Sequence, residues 1–249
     1  MTIGGGLRGD RPVGSGRGIG MERHFEQQIG DLKRQLLHMS GLSERIIRKA
    51  VEALQRRDSV LAEEVFADDH AIDRLELDIE ERCVNLLALQ QPLARDLRLI
   101  TSSIKISNDL ERVGDHAVNI AGCAQELAKR PPIKPLADLA QMTESAAGML
   151  RDALDAFVRQ DAEAARLLCS RDDEVDALNR RIFGELIARM VSNPSEIEPC
   201  MTLVLVSRNL ERIADLATNV AEEVVFIAEA RVIKHHAEEL AARDEFGRS

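Results

Sequence analysis

The sequence predicts an all-α protein assembled from two similar three-helix bundles, and three observations carry that expectation. After residue 20, prolines occur only at 92, 131, 132, 135, 194 and 199, leaving four long stretches without a helix breaker. Within those stretches apolar residues recur every three or four positions, as in Ile72, Leu75, Ile79, Cys83 and Leu86, and no sustained period-two alternation appears. The chain also repeats itself: the segment Asn108-Asp-Leu-Glu-Arg-Val-Gly-Asp-His-Ala-Val-Asn-Ile-Ala121 returns as Arg208-Asn-Leu-Glu-Arg-Ile-Ala-Asp-Leu-Ala-Thr-Asn-Val-Ala221, shifted by 100. Upstream, Asp69-His-Ala-Ile-Asp73 is echoed by Asp172-Asp-Glu-Val-Asp176, shifted by 103. A repeat of this length is one helical unit used twice.

Each element follows from local chemistry. Residues 1–20 hold eight of the fifteen glycines together with Arg8, Arg11 and Arg17, and are expected to form a disordered tail that ends at Met21. The run Gly14-x-Gly16-x-Gly18 has neither the spacing nor the preceding strand of a nucleotide loop. Helices are expected at 22–56, 59–90, 93–129, 136–159, 161–191 and 199–236, with Asp58-Ser59 and Asp161 as N-caps. The units would then be 21–130 and 136–236, joined by the stiff linker Pro131-Pro132-Ile133-Lys134-Pro135, with 237–249 as a C-terminal tail. Ile106, Leu110, Val113, Ala117, Ile120, Ala124 and Leu127 form an apolar seam, mirrored by Val206, Leu210, Ile213, Ala217, Val220, Val224 and Ile227.

Composition narrows the function. The 249 residues are 45% hydrophobic and 31% charged, with no apolar run approaching the roughly 18 residues of a membrane span. A net charge of −10 repels phosphate backbones, and six Phe with no Trp or Tyr offer little for base stacking, so nucleic acid is not an expected partner. Cys83, Cys123, Cys169 and Cys200 form no C-x-x-C pair and read as reduced packing thiols of a cytoplasmic protein. No apolar core of a signal peptide precedes them.

Acidic pairs carry the chemical signal. Glu111 and Asp115 lie one turn apart on one helical face, extended by Asn108 and Asn119, and Glu211, Asp215, Asn219 and Glu222 reproduce the stripe. A second stripe, Asp69, Asp73, Glu76 and Glu80, is matched more thinly by Asp172, Asp176 and Asn179, then Phe183. Carboxylates at i and i+4 repel, so pairs in four matching places suggest a hard cation such as Mg²⁺, Mn²⁺, Ca²⁺ or iron, with a solvated acidic face as the alternative. Arg112 and Arg212 are read as structural ion-pair partners, His116 as an optional ligand because position 216 is Leu, and His235-His236 as helix-end residues. Glu-x-x-His, His-Asp, Walker A, G-x-S-x-G and H-E-x-x-H patterns are all absent, so catalysis is not expected.

The turn Gln91-Pro92-Leu-Ala-Arg-Asp96-Leu97-Arg98-Leu99-Ile100, together with Asn108-Asp-Leu-Glu111-Arg112-Val-Gly-Asp115 and Leu210-Glu211-Arg212-Ile-Ala-Asp215, closely resembles the PhoU family of phosphate-signalling regulators over about residues 21–236. That resemblance implies two three-helix bundles with surface metal clusters of Mg, Mn, Fe or Zn. The implied ligands are Asp69, Asp73, Glu111, Asp115, Asp172, Asp176, Glu211 and Asp215. It also implies a non-enzymatic negative regulator linking the ATPase subunit of a phosphate ABC transporter to a phosphate-sensing histidine kinase. Such a regulator would be a homodimer held at the inner membrane through its partners only. The competing expectation is a helical scaffold or chaperone-like adaptor without a functional metal.

Overall fold

A computed structural model describes residues 16–133 and 136–233, with side chains from residue 23 onward. Seven α-helices follow one another: α1 (Gly16–Arg56), α2 (Ser59–Gln90), α3 (Ala94–Ala128), α4 (Ala137–Arg159), α5 (Ala162–Cys169), α6 (Asp172–Ser192) and α7 (Ile197–Glu229), with a 3-10 turn at Pro194–Glu196. No strand occurs among the described residues.

The expected caps form. Asp58 accepts hydrogen bonds from the Val60 and Leu61 amides at 2.9 and 3.1 Å, and Asp161 accepts one from the Ala164 amide at 3.0 Å, satisfying donors that a helix start leaves unpaired. Arg57 sits in the left-handed region at φ 57°, which ends α1 and aims its guanidinium at the end of α3. There it donates to the Leu127, Ala128 and Arg130 carbonyls, setting a cation on the negative end of that helix.

Three boundaries differ from expectation. Helix α1 begins at Gly16, so residues 16–20 are helical where a tail was expected, because extending a formed helix costs far less than starting one. The tail residues 1–15, Lys134 and Pro135 of the linker, and the C-terminal stretch containing His235-His236 and 237–249 lie outside the described residues. The single helix expected over 161–191 is broken at Ser170–Arg171. The Ser170 hydroxyl donates to the Leu167 carbonyl, Arg171 is drawn onto Asp152 of α4 at 2.5 Å, and Asp172, Asp173 and Glu174 start a new helix where its dipole favours negative charge. Finally, α7 starts at Ile197 with Pro199 in its first turn, and ends at Ala230 in the left-handed conformation rather than running to 236.

Helices α1, α2 and α3 form one bundle and α4 to α7 the other. The two join mainly along α3 and α7, and secondarily along α1 and α4. Cross-contacts of Arg98 with Ile227, Ser102 with Glu223 and His116 with Asn209 run in opposite chain directions, so α3 and α7 are antiparallel. All fourteen seam residues expected on these two helices are buried, which makes one continuous core through both repeats. Cys83 and Cys200 are buried, Cys123 and Cys169 half-buried, and all four are free thiols.

Candidate functional site

In the first repeat, α2 and α3 lie side by side and turn two solvated-looking stripes into one shared strip. The Asp69 carboxyl is pushed up to about 6, chiefly by burial and then by the charges of Asp73 and Asp115, with His70 opposing. Burial also raises Glu111, reinforced by Asp115, Glu76, Asp73 and Asp69. Five carboxylates from two helices therefore act on one another. Asp69 is seated against Gly114 of α3: a Cβ at residue 114 would come 2.4 Å from Asp69 Oδ1, and only glycine leaves that space open. That oxygen is buried and accepts no hydrogen bond, an arrangement that normally signals a missing partner.

The second repeat places its residues differently. Asp215 pairs with Arg212 at 2.9 Å and Asp176 with Arg180 at 3.7 Å. In the first repeat Arg112 turns instead to Asp109 at 3.3 Å and leaves Glu111 and Asp115 to the strip. Neither arginine pairs with the motif glutamate it follows. Ala214 stands where the first repeat has Gly114, and Asp172 is the first residue of α6, directly after a helix break, whereas Asp69 lies within an unbroken helix. The two sites are matched in sequence but not in geometry.

Among the described residues no three His, Cys, Asp or Glu side chains are drawn into a ready coordination shell. The first-repeat donors nevertheless fit a hard cation: they are all carboxylate oxygens, they raise one another's proton affinity, and one buried oxygen lacks a partner. Asp69, Asp73, Glu111 and Asp115 would hold such an ion, which when bound would supply positive charge to offset their repulsion. His116 is engaged elsewhere. Its Nδ1 is 2.8 Å from Asn209 Oδ1 on α7, and Leu216 on the same seam is buried.

Sequence reasoning missed a polar lock between the repeats. Glu223 of α7 accepts from Lys105 Nζ at 2.7 Å and from Ser102 Oγ at 2.6 Å, and Lys105 lies 5.6 Å from the centre of the Phe226 ring. Beside it, Asp109 is raised by burial and held down by Arg112 and by a hydrogen bond with Asn219. These groups line an open groove of about 510 Å³ with Glu76, Glu80, Asn108 and Glu222. The available signal was the unequal match of Lys105 with Leu205 and Asp109 with Asn209 within an otherwise regular repeat.

The PhoU domain model matches residues 36–124 and again 139–224. The chain is 42% identical over 209 residues to the phosphate-specific transport system accessory protein PhoU homolog of Aquifex aeolicus (strain VF5), covering 84% of this chain and 95% of the relative. It is 37% identical over 204 residues to the Clostridium acetobutylicum protein of the same description, covering 82% and 93%. Among solved structures, PhoU from Pseudomonas aeruginosa superposes with a TM-score of 0.79 at 36% identity, over 83% of this chain and 100% of that one. The phosphate transport system regulatory protein PhoU from Streptococcus pneumoniae gives 0.80 at 29% identity, over 85% and 100%.

Proposed function

This chain belongs to the PhoU family, and on that premise we propose that it is a non-catalytic negative regulator of phosphate uptake and of the phosphate-starvation two-component response. It couples the ATPase subunit of a phosphate ABC transporter to a phosphate-sensing histidine kinase, acts from the cytoplasm as a homodimer, and reaches the membrane only through those partners. Relatives named as accessory proteins of phosphate-specific transport systems support this reading. No helix among the described residues is long and apolar enough to cross a membrane.

The observation that carries the mechanism is the strip of Asp69, Asp73, Glu111 and Asp115 with its unpartnered oxygen at Gly114. Asp69 and Asp73 on α2 and Glu111 and Asp115 on α3 would hold a divalent or iron ion, which when bound would supply the positive charge that offsets their mutual repulsion across the two helices. Asp172, Asp176, Glu211 and Asp215 form the second, weaker site, because Arg180 and Arg212 already compensate two of its four charges.

The test is a deletion strain grown in high phosphate with secreted alkaline phosphatase as reporter. Regulation predicts that activity rises on deletion, falls when the chain is restored, and stays high when Glu111→Ala/Asp115→Ala is supplied instead. Activity that stays repressed on deletion, with no second copy of the gene to account for it, would favour the metal-free scaffold.

A further inference from the structure

We propose that the exposed apolar surface along α6 and α7, the counterpart of the groove that Glu80 and Lys105 line in the first repeat, forms a furrow that docks a short amphipathic helix of a partner protein, one that brings a carboxylate opposite Arg208. The furrow is flanked by Phe183, Ile187 and Val191 on α6 and by Ile197, Met201 and Leu205 on α7, each between 42% and 79% exposed. Spacing by four residues lines up each trio on one helical face. The two helices pack against each other about the 3-10 turn at Pro194–Glu196, so the last turn of α6, with Val191, and the first of α7, with Ile197, lie at the same end. At the inner end, Phe183 and Leu205 match Glu80 and Lys105 of the first repeat, which line one groove together.

Ile187, Val191 and Ile197 match the apolar Val84, Ala88 and Leu97 of the first repeat, but at the other three positions the fold does not require apolar residues. Phe183, Met201, Leu205 and Arg208 stand where the first repeat has Glu80, Thr101, Lys105 and Asn108. In the first repeat the position carries a polar lock of its own, with Lys105 held by Glu223. In the second, the counterpart of Glu223 is Cys123, which offers no charge, and the large side chains face water. A chain with a net charge of −10 that keeps six large apolar side chains exposed along two packed helices marks an interaction site.

Size and charge select the occupant. Three residues at four-residue spacing span about 12 Å, and packed helices lie about 8–10 Å apart, so the patch measures roughly 12 by 20 Å, a footprint of roughly 240 Å². A stable two-protein interface takes about 800 Å² per partner, whereas two to three turns of one helix with apolar residues at i, i+4 and i+7 fill this furrow. Arg208 lies one turn beyond Leu205, exposed, and pairs with no carboxylate among the described residues, while Arg212 beyond it is taken by Asp215. A partner helix with an acidic edge satisfies it. The inference does not rest on the metal reading, since the furrow shares no residue with the Asp69 strip.

Fluorescence anisotropy of two labelled synthetic 14-residue helical peptides against the full chain tests it. Both peptides carry leucine at i, i+4 and i+7, one with glutamates and the other with lysines along the edge. The acidic peptide should bind several-fold more tightly than the basic one. It should lose at least tenfold on Phe183→Glu/Met201→Thr/Leu205→Lys, which installs the first-repeat residues, and a few-fold on Arg208→Ala. Single Met201→Thr keeps the test valid if the triple variant unfolds, and should still cost a few-fold. Failure of the acidic peptide to bind, equal binding to wild type and Met201→Thr, or a preference for the basic peptide overturns the proposal. So does sedimentation showing that Met201→Thr splits a dimer which the acidic peptide does not disturb, because a second copy then covers the furrow.

Discussion

Replacing Asp69 by Asn should raise stability and lower metal affinity at once. The Asp69 carboxyl titrates near 6 in the folded protein and near 3.9 in an unfolded chain. Protons therefore bind the folded state more tightly. The native state is favoured below pH 4, loses that advantage as pH rises from about 4 to 6, and carries the full penalty above 6. For a group sealed from water this difference corresponds to about 3 kcal/mol; Asp69 is half-buried, and solvent screening brings it to about 1 kcal/mol. Asn has the same shape and fits the space at Gly114 without the charge. Denaturant unfolding of the full chain in EDTA should show Asp69→Asn more stable than wild type by about 1 kcal/mol at pH 8, or roughly 2–4 °C in Tm, and indistinguishable at pH 4. With Mn²⁺ at a hundred times its Kd, wild type should gain about 2.7 kcal/mol and the variant much less. A variant less stable than wild type at pH 8, or equally stabilised at pH 4 and pH 8, would refute the argument that carboxylate repulsion dominates this strip.

Gly114→Ala gains about 1 kcal/mol of helix propensity and displaces only the end of the half-buried Asp69 side chain; stability should change little or rise slightly while manganese affinity drops, as read by calorimetric titration. Phe157→Ala empties a fully buried site between helices and should cost about 3–5 kcal/mol in denaturant unfolding. Arg57→Ala removes the cation from the end of α3 and should cost about 1 kcal/mol, with a smaller effect at high salt. The Cys83 thiol, pushed up to about 12 by burial, should react with a disulfide reagent at pH 8 only at the rate of native-state opening, and rapidly in denaturant.

Much of the architecture was legible because it rests on local rules. Proline positions bounded the helices, Asp58 and Asp161 announced caps that the structure contains, and the four-and-three spacing of the α3 and α7 seams identified residues that are buried without exception. The break between α5 and α6 was not legible, because no Gly or Pro marks it; it coincides with Arg171 reaching Asp152 on another helix. Nor could one helix at a time show that His116 would meet Asn209.

What the sequence by itself determined is periodic and short-range: two repeats, their helices, their buried stripes, and acidic pairs in four matching places. What only the tertiary structure decided is which of those pairs meet and what surrounds them. Helix α2 lies against α3 closely enough to place Asp69 on Gly114, whereas Ala214 and the late start of α6 make the second site unlike the first. The same packing lets Glu223 take Lys105 and Ser102 across the repeats while Phe183 and Leu205 remain exposed. Periodicity sets which face of a helix turns inward, but charge repulsion, burial and pairing depend on distances between helices far apart in the chain, and those are settled only when the two bundles pack.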